Sequence, residues 1–267
     1  MIGVFDSGYG GLTVLREITA LLPDYSYVYY GDNAHAPYGP KSDEEILGLT
    51  KKGVEVLFHK GCDVVILGCN TASASALRKL QQKWLPVAYP DKKLLGIIVP
   101  TVEAMGEGAH KTIGVLATAH TVATGVYEVE ANKRSMGTKV VQIACNNLAG
   151  MIEQYGADND EVKKEASACV QNLLADANGE FDAVLLGCTH YDFIADFIQQ
   201  QLPEGIDLIR QPEIVAQSLR NYLDRHPEIE QKLDKTGSRT YFTTGNAEEV
   251  SRKSEDLIGE KISFSHI

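Results

Sequence analysis

Short runs rich in Val, Ile, Leu and Tyr recur along the chain, each followed by a longer stretch whose apolar residues return every three or four positions. The runs Ile2–Phe5, Tyr27–Tyr30, Val64–Leu67, Leu95–Val99, Ile113–Leu116, Val140–Ile143, Ala183–Leu186, Leu208–Ile209 and Thr240–Thr243 are predicted strands. Between them lie helical sets such as Leu12, Leu15, Ile18 and Leu22, or Ile46, Leu49, Gly53 and Leu57. A strand that is apolar throughout is covered on both faces, as in a parallel sheet joined by crossover helices. The pattern predicts an α/β fold. Counting strands does not separate one closed eight-stranded barrel from two open sheets.

An internal repeat bears on that choice. Asp63-Val64-Val65-Ile66-Leu67-Gly68-Cys69 matches Asp182-Ala183-Val184-Leu185-Leu186-Gly187-Cys188 at five of seven positions, with an offset of 119 residues. A weaker echo joins Ile2-Gly3-Val4-Phe5 to Ile113-Gly114-Val115-Leu116 at an offset of 111. Two strands recurring in the same order at nearly one offset point to two similar α/β halves. The break falls near Lys92–Pro100, and the chain from about Leu208 is expected to return to the first half. The expected division is residues 1–95 with 208–267 in one domain, and 96–207 in the other.

The 267 residues carry 25 basic and 36 acidic side chains, a net charge of −11. A general nucleic-acid binder would need a basic face to displace phosphate counterions, so that class is set aside. No apolar run is long enough to span a bilayer, and Met1–Asp6 lack the pattern of a signal peptide. Five cysteines without a CxxC pair or other ligand rhythm predict free thiols, no metal site and a cytoplasmic setting.

Ligands of open parallel sheets bind where strands end and helices begin. Four polar segments occupy such ends: Asp6–Gly11, Asp32–Pro40, Gly68–Ser73 and Gly187–His190. The first lacks the third glycine of a dinucleotide fingerprint, since Thr13 stands there, and no phosphate-loop motif occurs. A lone cysteine after a strand is an ordinary core residue. Two in matched contexts, each followed by hydrogen-bonding side chains at a helix start, suggest thiols tuned for proton transfer. With the halves facing each other, Cys69 and Cys188 would lie on opposite sides of a shared cleft. One could take a proton from a carbon while the other returns one to the opposite face. Asp6 could orient or help deprotonate Cys69, or simply cap the first helix; His190 could serve Cys188 or cap its own helix. Cys62, Cys145 and Cys169 lack the matched setting and are expected to be structural.

These residues bring a family into view. Asp6-Ser7-Gly8-x-Gly10-Gly11, the Asp32…Pro37-Tyr38-Gly39 loop, Cys69-Asn70-Thr71-Ala72, Ile113–Thr118 and Gly187-Cys188-Thr189-His190 resemble the glutamate racemases, cofactor-independent enzymes of bacterial cell-wall synthesis. The resemblance extends from Ile2 to the Tyr241–Gly245 stretch. It implies two pseudo-symmetric open parallel-sheet domains with the active site between them, and interconversion of L- and D-glutamate by two bases. It also implies D-glutamate supply for peptidoglycan and a homodimer. By resemblance Cys69 and Cys188 are the acid/base pair, Asp6 and His190 their helpers, and Glu153 an assisting carboxylate. Ser7, Tyr38, Gly39, Asn70, Thr71, Thr118 and Thr189 would hold substrate, with Asp6 and His190 adjoining it.

Three positions depart from the family pattern: Cys145–Gly150 before Glu153, Val99 where Glu often precedes the proline, and Tyr191-Asp192 where an aromatic residue and proline are common. Other readings left open are a racemase of aspartate or another amino acid, a hydrolase with one nucleophilic cysteine, and a non-catalytic amino-acid-binding protein.

Overall fold

The computed structural model describes residues 1–107, 110–134, 136–176 and 181–267. Among them the strands are β1 (Ile2–Asp6), β2 (Tyr27–Gly31), β3 (Val64–Leu67), β4 (Lys93–Gly96), β5 (Thr112–Ala117), β6 (Lys139–Ala144), β7 (Ala183–Gly187), β8 (Asp207–Ile209), β9 (Arg239–Thr243) and β10 (Phe264–His266). They form two sheets, ordered β10-β9-β2-β1-β3-β4 and β6-β5-β7-β8. Every pairing is parallel. The choice between a barrel and two open sheets is thereby decided for the sheets.

The repeat survives as register. Ile2 pairs with Val64 and Phe5 with Leu67. Ile113 pairs with Ala183 and Leu116 with Leu186 in the second sheet. These are the same pairs carried forward by the two sequence offsets. The order β2-β1-β3-β4 is likewise repeated as β6-β5-β7-β8, while β9 and β10 extend only the first sheet.

Each sheet is covered on both faces, which explains its apolar strands. On one face of the first, Val4, Tyr29 and Ile66 pack with Leu15 and Ile18 of the Gly11–Leu21 helix. On the other, Phe5, Tyr30 and Leu67 meet Ile46, Val54 and Leu57 of the Asp43–His59 helix. That helix starts at a capping box in which Ser42 and Glu45 satisfy each other's backbone N–H groups, an arrangement worth about 1 kcal/mol. It anchors the far end of the Asp32–Pro40 loop.

Three expectations change. The strand expected at Leu95–Val99 lies at Lys93–Gly96, and Ile98–Glu107 is a helix. A short apolar run reads equally as a strand or as a buried helix; Pro100 is tolerated because it falls in the first turn, where no intrahelical N–H is needed. Leu208 and Ile209, expected to open the return to the first half, pair instead with β7. The return begins with the Gln211–Arg225 helix, whose Val215, Leu219 and Leu223 join the core of Val4 and Leu15. The three-residue β10 was not expected at all.

Candidate active site

The carboxyl ends of β1, β2, β3 and β7 lead into the four segments, which together with Thr118 after β5 surround one cavity of about 210 Å³. Ser7, Tyr38, Gly39, Cys69, Asn70, Thr71, Thr118, Glu153, Cys188, Thr189 and His190 all line it. Residues from both sheets therefore meet at the place where α/β sheets bind ligands. Among the described residues, the 19 that line it include neither Lys nor Arg.

Cys69 caps the short Asn70–Ser75 helix: its Sγ accepts the Ala72 N–H at 3.5 Å and lies 3.4 Å from Oγ of Ser7. The helix start was expected to favour thiolate. Instead, burial and the Asp6 carboxyl push the thiol up to about 12, against the weaker pull of the Ser7 and Ala72 hydrogen bonds. Desolvation of the charged form outweighs one helical turn of aligned dipoles.

Asp6 does not line the cavity. It is fully buried at the end of β1, where Oδ1 accepts the Gly8 N–H at 2.8 Å and Oδ2 has no hydrogen-bond partner. Neither oxygen is hydrogen-bonded to Cys69, and the helix after it has no side-chain cap. Asp6 thus shapes the glycine turn. Burial raises its carboxyl above 3.8, opposed chiefly by the nearby charge of His190.

The other thiol has different company. Nδ1 of His190 is 3.9 Å from Sγ of Cys188, and its Nε2 is 2.7 Å from Oε1 of Glu153. Burial works against charge on the ring, but the bonds to Cys188 and Glu153 overcome it and raise His190 well above 6.5. Glu153 comes from the Leu148–Tyr155 helix and also accepts the Tyr9 N–H at 3.4 Å. The glycines of the first loop make this approach possible. A Cβ on Gly8 would fall 1.9 Å from Oε1 of Glu153, and one on Gly10 2.4 Å from Oγ1 of Thr189.

Lining residues are held from behind. Tyr38 donates to Asp32 at 2.6 Å, and Thr244 donates to the other oxygen of that carboxylate at 2.8 Å. Hydroxyls of Thr71 and Thr118 meet at 3.1 Å across the two halves, and Thr118 reaches Thr121 at 3.0 Å. Asn70 exchanges hydrogen bonds with Gln211 and accepts one from Tyr127. Gln211, Tyr127 and Thr121 went unread in the sequence because nothing local distinguishes them. Cys145, expected to be structural, lines the cavity, as do Asn146 and Asn147. The positive φ of 61° at Asn147 suits asparagine, so the Asn-Asn pair was a legible turn signal. Cys62 and Cys169 are buried in separate core clusters.

Residues 2–219 match the family model described as Asp/Glu/Hydantoin racemase. The chain belongs to the Asp/Glu/Hydantoin racemase family. Membership assigns it to a group of isomerases. It is 43% identical to the glutamate racemase of Phenylobacterium zucineum over 98% of both chains. A glutamate racemase isoform from Bacillus anthracis superimposes with a TM-score of 0.87 at 31% identity, covering 100% of this chain and 97% of that one. The Francisella tularensis glutamate racemase, solved in complex with D-glutamate, gives 0.86 at 26% identity, covering 100% and 96%. The two-sheet architecture is thus that of solved glutamate racemases. Among the described residues of this racemase-family chain, no helix is long and apolar enough to cross a membrane, and no cluster of His, Cys, Asp and Glu could hold a metal ion.

Proposed function

We propose that the protein interconverts L- and D-glutamate, using Cys69 and Cys188 as alternating acid and base. The observation that carries this reading is the pair of thiols at equivalent strand ends, both opening on one cavity. A thiolate takes the α-proton, its S–H bond forming as Cα–H breaks. The thiol across the cavity delivers its proton to the other face of the carbon and is left as the thiolate. Each turnover exchanges the two roles, so the products of one direction are the starting state of the other.

Cys69, held as a thiol by burial, is the acid of the present state. Cys188, 3.9 Å from Nδ1 of His190, is the base in this reading. Glu153 fixes the ring through Nε2. On the other side Asp6 is the helper, acting through its buried carboxyl. Among the described residues no Lys or Arg lines the cavity to meet the substrate carboxylates; hydroxyls of Ser7, Thr71, Thr118 and Thr189, the Asn70 amide, and Tyr38 with Gly39 are the candidates to receive them. Such fixed dipoles in an enclosed site also lower the barrier to the carbanion without a cofactor. A role in supplying D-glutamate for peptidoglycan, a cytoplasmic location and a homodimer belong to the same reading and rest on the family resemblance.

Incubation with L-glutamate in heavy water should yield D-glutamate carrying deuterium at the α-carbon. Product that keeps its original hydrogen overturns the two-base reading. A parallel incubation with L-aspartate tests the substrate: isomerisation of aspartate alone would move the chain to that specificity.

A further inference from the structure

Arg210 and Gln211 sit where the chain crosses back from the second sheet to the first-half core, between β8 and the Gln211–Arg225 helix. Their side chains part in opposite directions. Arg210 makes a two-pronged bond to Asp192, Nε to Oδ1 at 2.7 Å and Nη2 to Oδ2 at 2.9 Å. Asp192 lies in the Thr189–Ile194 helical turn that directly follows Cys188. Gln211, only 2% exposed, closes an amide pair with Asn70, the residue after Cys69. Its Oε1 accepts from Nδ2 of Asn70 at 2.7 Å, and its Nε2 donates to Oδ1 of Asn70 at 3.2 Å. The same Nε2 lies 2.9 Å from Oγ1 of Thr101, on the helix after the first crossing, and 3.2 Å from the Tyr127 hydroxyl.

We infer that Arg210 and Gln211 are positioning residues that set the separation of the two thiol-bearing segments across the cavity. This rests on the two-thiol reading above. Two adjacent residues, joined by one rigid peptide, are bonded to the segment after Cys188 on one side and to the segment after Cys69 on the other. Proton transfer at both faces of one carbon needs both sulfurs at reacting distance at once, so a brace between the segments acts on the chemical step. Gln211 also consumes one Nδ2 hydrogen of Asn70 and fixes the amide so that the other is left for a ligand.

The test uses the full-length protein, with Gln211→Leu, Arg210→Lys and the double variant, assayed in both directions. Arg210→Lys keeps the charge and loses the planar fork; at a partly exposed position it is the variant that decides if Gln211→Leu fails to fold. For each variant kcat per folded molecule should fall roughly 10- to 100-fold, the scale of a misplacement near 1 Å, while KM changes less than about threefold. Since the enantiomers are equally stable, kcat/KM must fall equally in both directions. The isotope effect with α-deuterated glutamate should rise as proton transfer becomes limiting. The double variant should lose less than the product of the single losses, because both act on one separation. Arg78→Met, which removes another contact between the halves by breaking the Arg78–Glu130 ion pair, should lower Tm and leave kcat unchanged.

Folded variants that lower Tm but keep wild-type kcat and isotope effect overturn the inference and leave these residues a purely structural role. A wild-type protein that does not exchange the α-hydrogen of glutamate counts instead against the proposed function.

Discussion

The two thiols occupy equivalent strand ends in unequal surroundings. Around Cys69 the hydrogen bonds are neutral, to a serine hydroxyl and a backbone amide, while burial and the Asp6 carboxyl keep the sulfur protonated. Around Cys188 they are ionic, with a histidine raised well above 6.5 and a glutamate 2.7 Å behind it. The repeat preserved the backbone, down to the pairing of Ile2 with Val64 and Ile113 with Ala183. It did not preserve the electrostatics. A two-base exchange starts with one group protonated and the other not, so unlike surroundings let identical residues begin in different states.

The sharpest way to break this contrast is to remove each thiol in turn. If both carry proton transfer, Cys69→Ala and Cys188→Ala should each lower racemisation by about a thousandfold or more, within the range of general acid–base catalysis. Chiral chromatography of the product measures both. Loss from one variant only would turn the cavity into a single-nucleophile site.

A smaller effect separates the two sides by pH. His190 should lose its proton well above 6.5, and activity should decline there, whereas the Cys69 thiol stays protonated until about 12. His190→Asn should reduce kcat by roughly a hundredfold and abolish that alkaline limb. A pH–rate profile that keeps the limb in the variant assigns it to another group.

The smallest expected effect concerns the joint between the halves. Burial works against charge on Glu130, but Lys133, Arg134 and Arg78 outweigh it and bring its carboxyl from 4.5 down to about 2. A depressed acid contributes stability above its unfolded value, here 4.5, and loses it as pH falls toward about 2. Glu130→Gln should therefore lower Tm by a few degrees at neutral pH, and the difference from wild type should close across that acid window. Calorimetry at several pH values checks it; a gap that persists below the window would assign the effect to packing.

The strands and the thiol pair were legible because each depends on short-range pattern. Apolar runs such as Val64–Leu67 and Ala183–Leu186 announce strands buried on both faces, and their repetition singled out the cysteines that follow. Legibility failed where one pattern serves two structures. Ile97-Ile98-Val99 continued a strand in sequence but belongs to the passage into a helix. Leu208-Ile209 read as a strand without revealing which sheet it joins. Asp6 read equally as a thiol's helper or a helix cap, and its hydrogen bond goes to the Gly8 N–H in the turn rather than to either.

Local sequence was sufficient for the α/β class, the doubled arrangement and the residues that could carry chemistry, because strand alternation, helix period and strand-end motifs are properties of neighbours in the chain. The tertiary structure decided which of those residues touch. Gln211 reaches Asn70 across 141 positions and Glu153 reaches His190 across 37. Such bonds form only once packing has brought distant segments together. The same packing gave the thiols unlike company: Cys69 meets a serine hydroxyl and a backbone amide, whereas Cys188 stands beside a histidine bonded to Glu153.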